Sequence, residues 1–103
     1  MKKIAIATAT RAEYGILHPL IVRLMEEKEF DVQLLVTGTH LEERFGYTVK
    51  EIEKDGIPIA RKIPILTEDN SPYGISVTIA QAITGFADYF KSEQLDLFLV
   101  LGD

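Results

Sequence analysis

Cysteine is absent from the 103 residues, which excludes a disulfide framework and a thiolate metal site and suits a reducing cytoplasm. Positive charge is sparse as well. Eleven Lys and Arg face sixteen Asp and Glu, for a net charge of −5, and the basic residues are scattered along the chain. With no basic stripe or patch, nucleic acid is excluded as a partner. Long apolar runs are also missing. The opening, MKKIAIATATRAE, is interrupted by Arg11 and Glu13 before it could form a signal-peptide core, and no segment approaches a membrane span. No membrane partner is expected, and the expected location is the cytoplasm. There is no internal repeat, low-complexity stretch or linker, so one domain is the working count.

What is present is a regular alternation. KIAIATA (Lys3 to Ala9) and VQLLVTG (Val32 to Gly38) are short β-branched runs bounded by polar residues or glycine, and each precedes a helical pattern. IPIARKIPIL (Ile57 to Leu66) reads as an edge strand, because Pro58 and Pro64 each remove a ladder donor. LDLFLVL (Leu95 to Leu101) is apolar on both alternating faces, as in a parallel strand covered on two sides. Between the first two runs, Leu17, Leu20, Ile21, Leu24 and Met25 recur at helical spacing. Pro19 falls inside that pattern, so the helix starts late or kinks there. Thr10 with Glu13, and Thr48 with Glu51, have capping-box spacing; the second pair opens a short helix that Gly56 closes. A third helix is expected over residues 72–92, with Ser71 as N-cap, Pro72 in its first turn, and Val77, Ala80, Ile83, Ala87 and Phe90 on one face. Right-handed strand–helix–strand units then give an α/β, Rossmann-like, doubly wound parallel sheet in the order 3-2-1-4.

Ligands of such sheets bind beyond the carboxyl ends of the strands, at the point where the strand order reverses. That is the crevice between the first and fourth strands, which brings the loop of Thr8, Thr10, Arg11 and Glu13 opposite Gly102 and Asp103. Arg11 precedes a helix N-terminus, where the helix dipole and unpaired amides favour an anion and a guanidinium can grip phosphate bidentately. It could equally be a solvated loop residue or a partner of Glu13. Glu13 reads first as a cap. Asp103 could be a general base, a ribose or metal ligand, or the N-cap of a following helix. His40, in the loop after the second strand, could bind a ligand, transfer a proton or be plain polar surface. His18 packs or caps. A phospho-acceptor receiver domain is excluded, since Thr-Ala-Thr-Arg replaces the acidic pair needed after the first strand. A dinucleotide site has no support, because G-x-G-x-x-G is absent.

ATATRAEYGILHPLI, VTGTHLEERFGYT and LFLVLGD, in that order, resemble the N-terminal part of bacterial UDP-N-acetylglucosamine 2-epimerases, particularly the hydrolysing kind of sialic-acid-type sugar synthesis. Ile16 and RAEYG stand where the non-hydrolysing branch carries a lysine and RPEAIK. The resemblance implies a glycosyltransferase B-type fold, of which residues 1–103 are a partial N-terminal Rossmann-like domain with the C-terminal domain absent. It implies UDP-GlcNAc or UDP as ligand, no cofactor, no resident metal, and elimination of UDP followed by hydration to N-acetylmannosamine. Asp103 and His40 match catalytic positions, and Arg11, Thr10 and Glu13 match the substrate-binding loop. The fragment alone is expected to be inactive. The alternatives are the nucleotide-sugar half of a glycosyltransferase B-type transferase and a non-catalytic nucleotide-binding module. A homodimer is expected, with the open edges of two fourth strands meeting antiparallel.

Overall fold

The computed structural model describes residues 1–102. In chain order it contains β1 (Lys2–Thr8), α1 (Arg11–Glu26), β2 (Phe30–Thr37), α2 (Val49–Lys54), β3 (Ile59–Ile63), α3 (Pro72–Ser92) and β4 (Leu97–Leu99), with 3-10 turns at Gly38–Leu41 and Glu43–Phe45. The four strands pair in parallel in the order β3-β2-β1-β4, as the alternation of elements predicts.

Strand alternation sorts the core into two layers. Ile4, Ile6, Leu34 and Val36 point to one face, where Tyr14, Leu17, Ile21, Val49, Ile52 and Ile57 bury against them. Ala5 and Leu35 point to the other, toward Tyr89 with Phe86 and Leu95. Burying one large aliphatic side chain contributes about 1.5–3 kcal/mol. The face under α1 and α2 therefore carries most of the hydrophobic stabilisation.

Three local expectations change. α1 begins at Arg11, so Pro19 lies in its interior, where it cannot donate to the Gly15 carbonyl one turn back. Only part of its predicted stripe is inside: Leu17 and Ile21 are buried, while Leu20 and Met25 are exposed. α3 has the predicted bounds, but it rests on the sheet through Tyr89 and Phe86, with Gly85 against Ile63, and Ile83 and Phe90 face outward. A helix without charge from Pro72 to Ala87 has no charged side to mark which face meets water. β4 stands at the edge that the order 3-2-1-4 gives it, paired with β1, but it is shorter than its apolar run and is not covered on both faces, with Leu97, Phe98 and Val100 exposed. Pro58 and Pro64 flank β3 at the opposite edge.

Gly74 is required by close approach, since a Cβ there would lie 1.9 Å from the Asp69 carbonyl oxygen. Gly15 has open space around it. Gly74→Ala is expected to lower the unfolding free energy by about 1–3 kcal/mol through overpacking. Gly15→Ala should raise it by about 0.5–1 kcal/mol, because alanine loses less backbone freedom in a helix. Urea unfolding midpoints measure both, and a Gly74→Ala midpoint at or above that of the native chain would contradict this packing.

Candidate functional site

The loops after β1 and β2 leave the same edge of the sheet and are stitched together by polar contacts. Gly38 makes the join possible, because its φ of +63° places its backbone where a Cβ would lie 2.8 Å from the Ala9 carbonyl oxygen. That oxygen accepts from the Thr39 hydroxyl at 3.1 Å and from the His40 N–H at 3.4 Å. On the β1 side, Thr10 caps α1 by accepting from the Glu13 N–H at 3.1 Å. The Glu13 carboxylate accepts from the Ala9 N–H at 2.9 Å, one residue before the position that a capping box uses.

His40 is fully buried in this join. Its Nε2 lies 3.0 Å from the Thr8 hydroxyl, and its Nδ1 lies 2.8 Å from that of Thr48. Thr8 in turn donates to the Thr10 carbonyl at 3.4 Å. A neutral ring completes the relay if Thr48 donates to Nδ1 and Nε2–H donates to Thr8. Burial pushes the imidazole below its ordinary pKa of 6.5, against a smaller pull from the Glu13 carboxylate. The loop histidine read as a group on the rim is thus an internal bridge, with neither ring nitrogen left for the surface. Thr48 is corrected with it. Its hydroxyl is committed to His40 and makes no capping bond to α2.

Arg11 opens α1 with its guanidinium 73% exposed. It pairs with neither Glu13 nor a strand end but with Glu51 of α2, at 3.0 Å from Nε. The pair lies beside an open groove of about 850 Å³ between α1 and α2, which Tyr14, His18, Lys54 and Asp55 also line. Tyr14 donates to Asp55 at 2.6 Å, and both burial and that bond hold its phenol protonated. His18, read as packing or capping, stands edge-on to Tyr14 at 5.5 Å, with Nε2 3.8 Å from Asp55. Sequence reasoning passed over Tyr14 and Asp55 and read Glu51 only as part of a helix cap. The usable signal was the four-residue step from Glu51 to Asp55, which matches the step from Tyr14 to His18.

The structure therefore brings Thr10, Glu13 and His40 together and turns Arg11 toward α2. Asp103 lies outside the described residues. An exposed pair such as Arg11–Glu51 is worth about 0–1 kcal/mol, so an anion can take the place of Glu51 at little cost. The positive end of α1 adds to the attraction. Among the described residues no cluster of three or more His, Asp or Glu could hold a metal, and no helix is long and apolar enough to cross a membrane.

The family model described as UDP-N-acetylglucosamine 2-epimerase matches residues 22–103. The chain is 37% identical over 102 residues to the GDP/UDP-N,N'-diacetylbacillosamine 2-epimerase (hydrolyzing) of Campylobacter jejuni, covering 99% of this chain and 26% of that protein. It is 35% identical over 103 residues to the UDP-N,N'-diacetylbacillosamine 2-epimerase (hydrolyzing) of Legionella pneumophila, covering 100% of this chain and 27% of that protein. It thus spans about a quarter of the length of these relatives. The UDP-GlcNAc 2-epimerase of Neisseria meningitidis, solved with UDP-GlcNAc bound, superposes with a TM-score of 0.73 at 22% identity over 100% of this chain and 26% of that one, which shows the shared fold.

The buried His40 makes stability depend on pH. Its unfolded form takes up a proton near 6.5, while the folded form does so only at lower pH. The contribution of the neutral ring is therefore complete above 6.5 and is lost as pH falls from there toward the folded value. Between pH 7 and 5.5 the native chain should lose more unfolding free energy than His40→Gln does, by at most about 1.4 kcal/mol per pH unit. Denaturant titrations at the two pH values check this, and equal losses would contradict it.

Proposed function

The chain belongs to the UDP-N-acetylglucosamine 2-epimerase family, and from that we propose that it is the N-terminal, nucleotide-sugar-binding part of a hydrolysing 2-epimerase. The observation that carries this reading is its 35–37% identity, along almost its full length, to two enzymes named as hydrolysing. The geometry supports it: a capped helix N-terminus, an exposed Arg11 and two loops locked together suit a phosphate-bearing ligand held at the carboxyl edge of a parallel sheet.

In this reading UDP-GlcNAc loses its C2 proton and expels UDP from C1, leaving 2-acetamidoglucal. Water then adds, with hydroxyl at C1 and a proton at C2 on the opposite face, to give N-acetylmannosamine. Arg11 exchanges Glu51 for the diphosphate, Thr10 and Glu13 keep the loop in shape, and Asp103 moves a proton at the sugar. His40 serves the catalytic step by holding the Thr8–Thr10 loop rather than by touching substrate. The second half of the cleft comes from sequence outside these 103 residues, and the chain alone binds without turning over. A cytoplasmic setting suits a chain without cysteine. The names of the Campylobacter and Legionella relatives favour a second substrate, UDP-N,N'-diacetylbacillosamine, for the same chemistry.

UDP titrated into the 103-residue chain should shift the amide resonances of residues 8–15 at millimolar concentration. Arg11→Ala should weaken binding roughly ten- to a hundredfold, corresponding to about 1.5–3 kcal/mol for a hydrogen bond to a charged group. Unmoved amides in that loop would remove the phosphate role, and a stronger shift with UDP-N,N'-diacetylbacillosamine than with UDP-GlcNAc would select the second substrate.

A further inference from the structure

α2 reaches the loop after β1 with two side chains, Thr48 at its start and Glu51 in its first turn. Beside them Val49 and Ile52 are fully buried, so the backbone that carries both polar residues is pinned to the core. Thr48 turns inward, with its hydroxyl 2.8 Å from Nδ1 of His40. Glu51 turns outward and sets both carboxylate oxygens on Nε of Arg11, at 3.0 and 3.2 Å. One contact therefore reaches the start of α1 through a buried ring, and the other through exposed charge.

The buried path has a direction. A carbonyl oxygen only accepts, so the bond from the Thr8 hydroxyl to the Thr10 carbonyl uses the single proton of that hydroxyl. The Thr8 oxygen must then accept from Nε2–H of the ring, 3.0 Å away. Nδ1 is left with a lone pair, and Thr48 is the donor that meets it. The opposite tautomer would need Thr8 to donate to Nε2, and the Thr10 carbonyl would lose its bond. Burial lowers the pKa of the ring, and the Thr10 carbonyl is among the groups that oppose it, as an acceptor facing an imidazole N–H does.

We propose that α2 sets the affinity of the nucleoside diphosphate site through two contacts of opposite sign: Thr48 strengthens binding by fixing the His40 tautomer, and Glu51 weakens it by occupying Arg11. The inference rests on the reading of the loop after β1 as a diphosphate site. Thr48 is a positioning residue in this scheme, because the tautomer it selects keeps Thr8 bonded to Thr10 and so holds the loop that delivers Arg11. Glu51 is a carboxylate in the place of a phosphate oxygen, and the two compete for one guanidinium. Lys54, three residues on, lines the same groove and can receive the freed carboxylate.

Opposite signs make the test selective, because a change that merely loosened α2 would move both variants the same way. In UDP titrations, Thr48→Val should weaken binding about threefold or more, and Thr48→Ser, which keeps the donor, should stay within about twofold of the native chain. Glu51→Gln should tighten binding about two- to fivefold, the scale of one exposed ion pair, and should have no effect in an Arg11→Ala background. Nitrogen NMR of the imidazole should show His40 protonated at Nε2 and bare at Nδ1 in the native chain and in Thr48→Ser. The native-chain tautomer and the Glu51→Gln titration remain decisive if Thr48→Val does not fold. A native ring protonated at Nδ1 overturns the inference, as does Glu51→Gln binding UDP no more tightly than the native chain. If UDP shifts no amide of residues 8–15 in the native chain, the diphosphate reading falls and the inference with it; if UDP binds and the two variants do not part in sign, the inference falls alone.

Discussion

A single imidazole ring joins the three segments on which the site depends. Through Thr8 and Thr48, His40 links the end of β1 to the start of α2, while its own N–H adds to the bonds on the Ala9 carbonyl. Parallel strands hold their neighbours in register along their length, but nothing in the ladder fixes how the chain leaves them. The loops after β1 and β2 are fixed by side chains instead: a relay of two hydroxyls and a ring, closed by a glycine whose left-handed turn allows the backbones to touch. Removing one member would leave its partners buried and unpaired, which is why such relays are held together as units.

The two faces of the sheet solve the burial problem differently. Under α1 and α2 a thick layer of Ile, Leu and Val closes over the strands, and the helices keep their charges outside. Beneath α3 the layer is thin, built on Ala5, Leu35 and Tyr89, and the aromatic group of Phe86, Phe90 and Phe98 lies toward the exposed β4. The Tyr89 hydroxyl has no partner there, and its ring lies under the Arg61 guanidinium at 5.4 Å. α3 is therefore apolar on more sides than this chain uses.

Strand order was legible because four apolar runs alternate with helical patterns and prolines mark one edge. The two caps at Thr10 and Ser71 were legible for the same reason, since local chemistry decides them. Long-range competition was not. Thr48 and Glu51 have the spacing of a capping box, yet His40 takes the hydroxyl and Arg11 the carboxylate, and neither partner is near in sequence. The α3 stripe was read as the face packed on the sheet, yet Ala80, Ile83, Ala87 and Phe90 are exposed, because an uncharged helix has no polar side to set its orientation and leaves it to the fit of Gly85 against Ile63 and to the bulk of Tyr89. His40 reads from sequence as a loop residue; its burial is created by the positive φ of Gly38.

Pro19 divides α1 into two mechanical parts. The first two turns belong to the site, tied by Thr10, Glu13 and the Tyr14–Asp55 bond, while the later turns are anchored by Ile21 in the core. Where the ring removes a donor, the ladder between these halves is one rung short at the Gly15 carbonyl. The missing rung therefore falls between the turns held by polar contacts at the loop and the turns held by apolar contacts in the core.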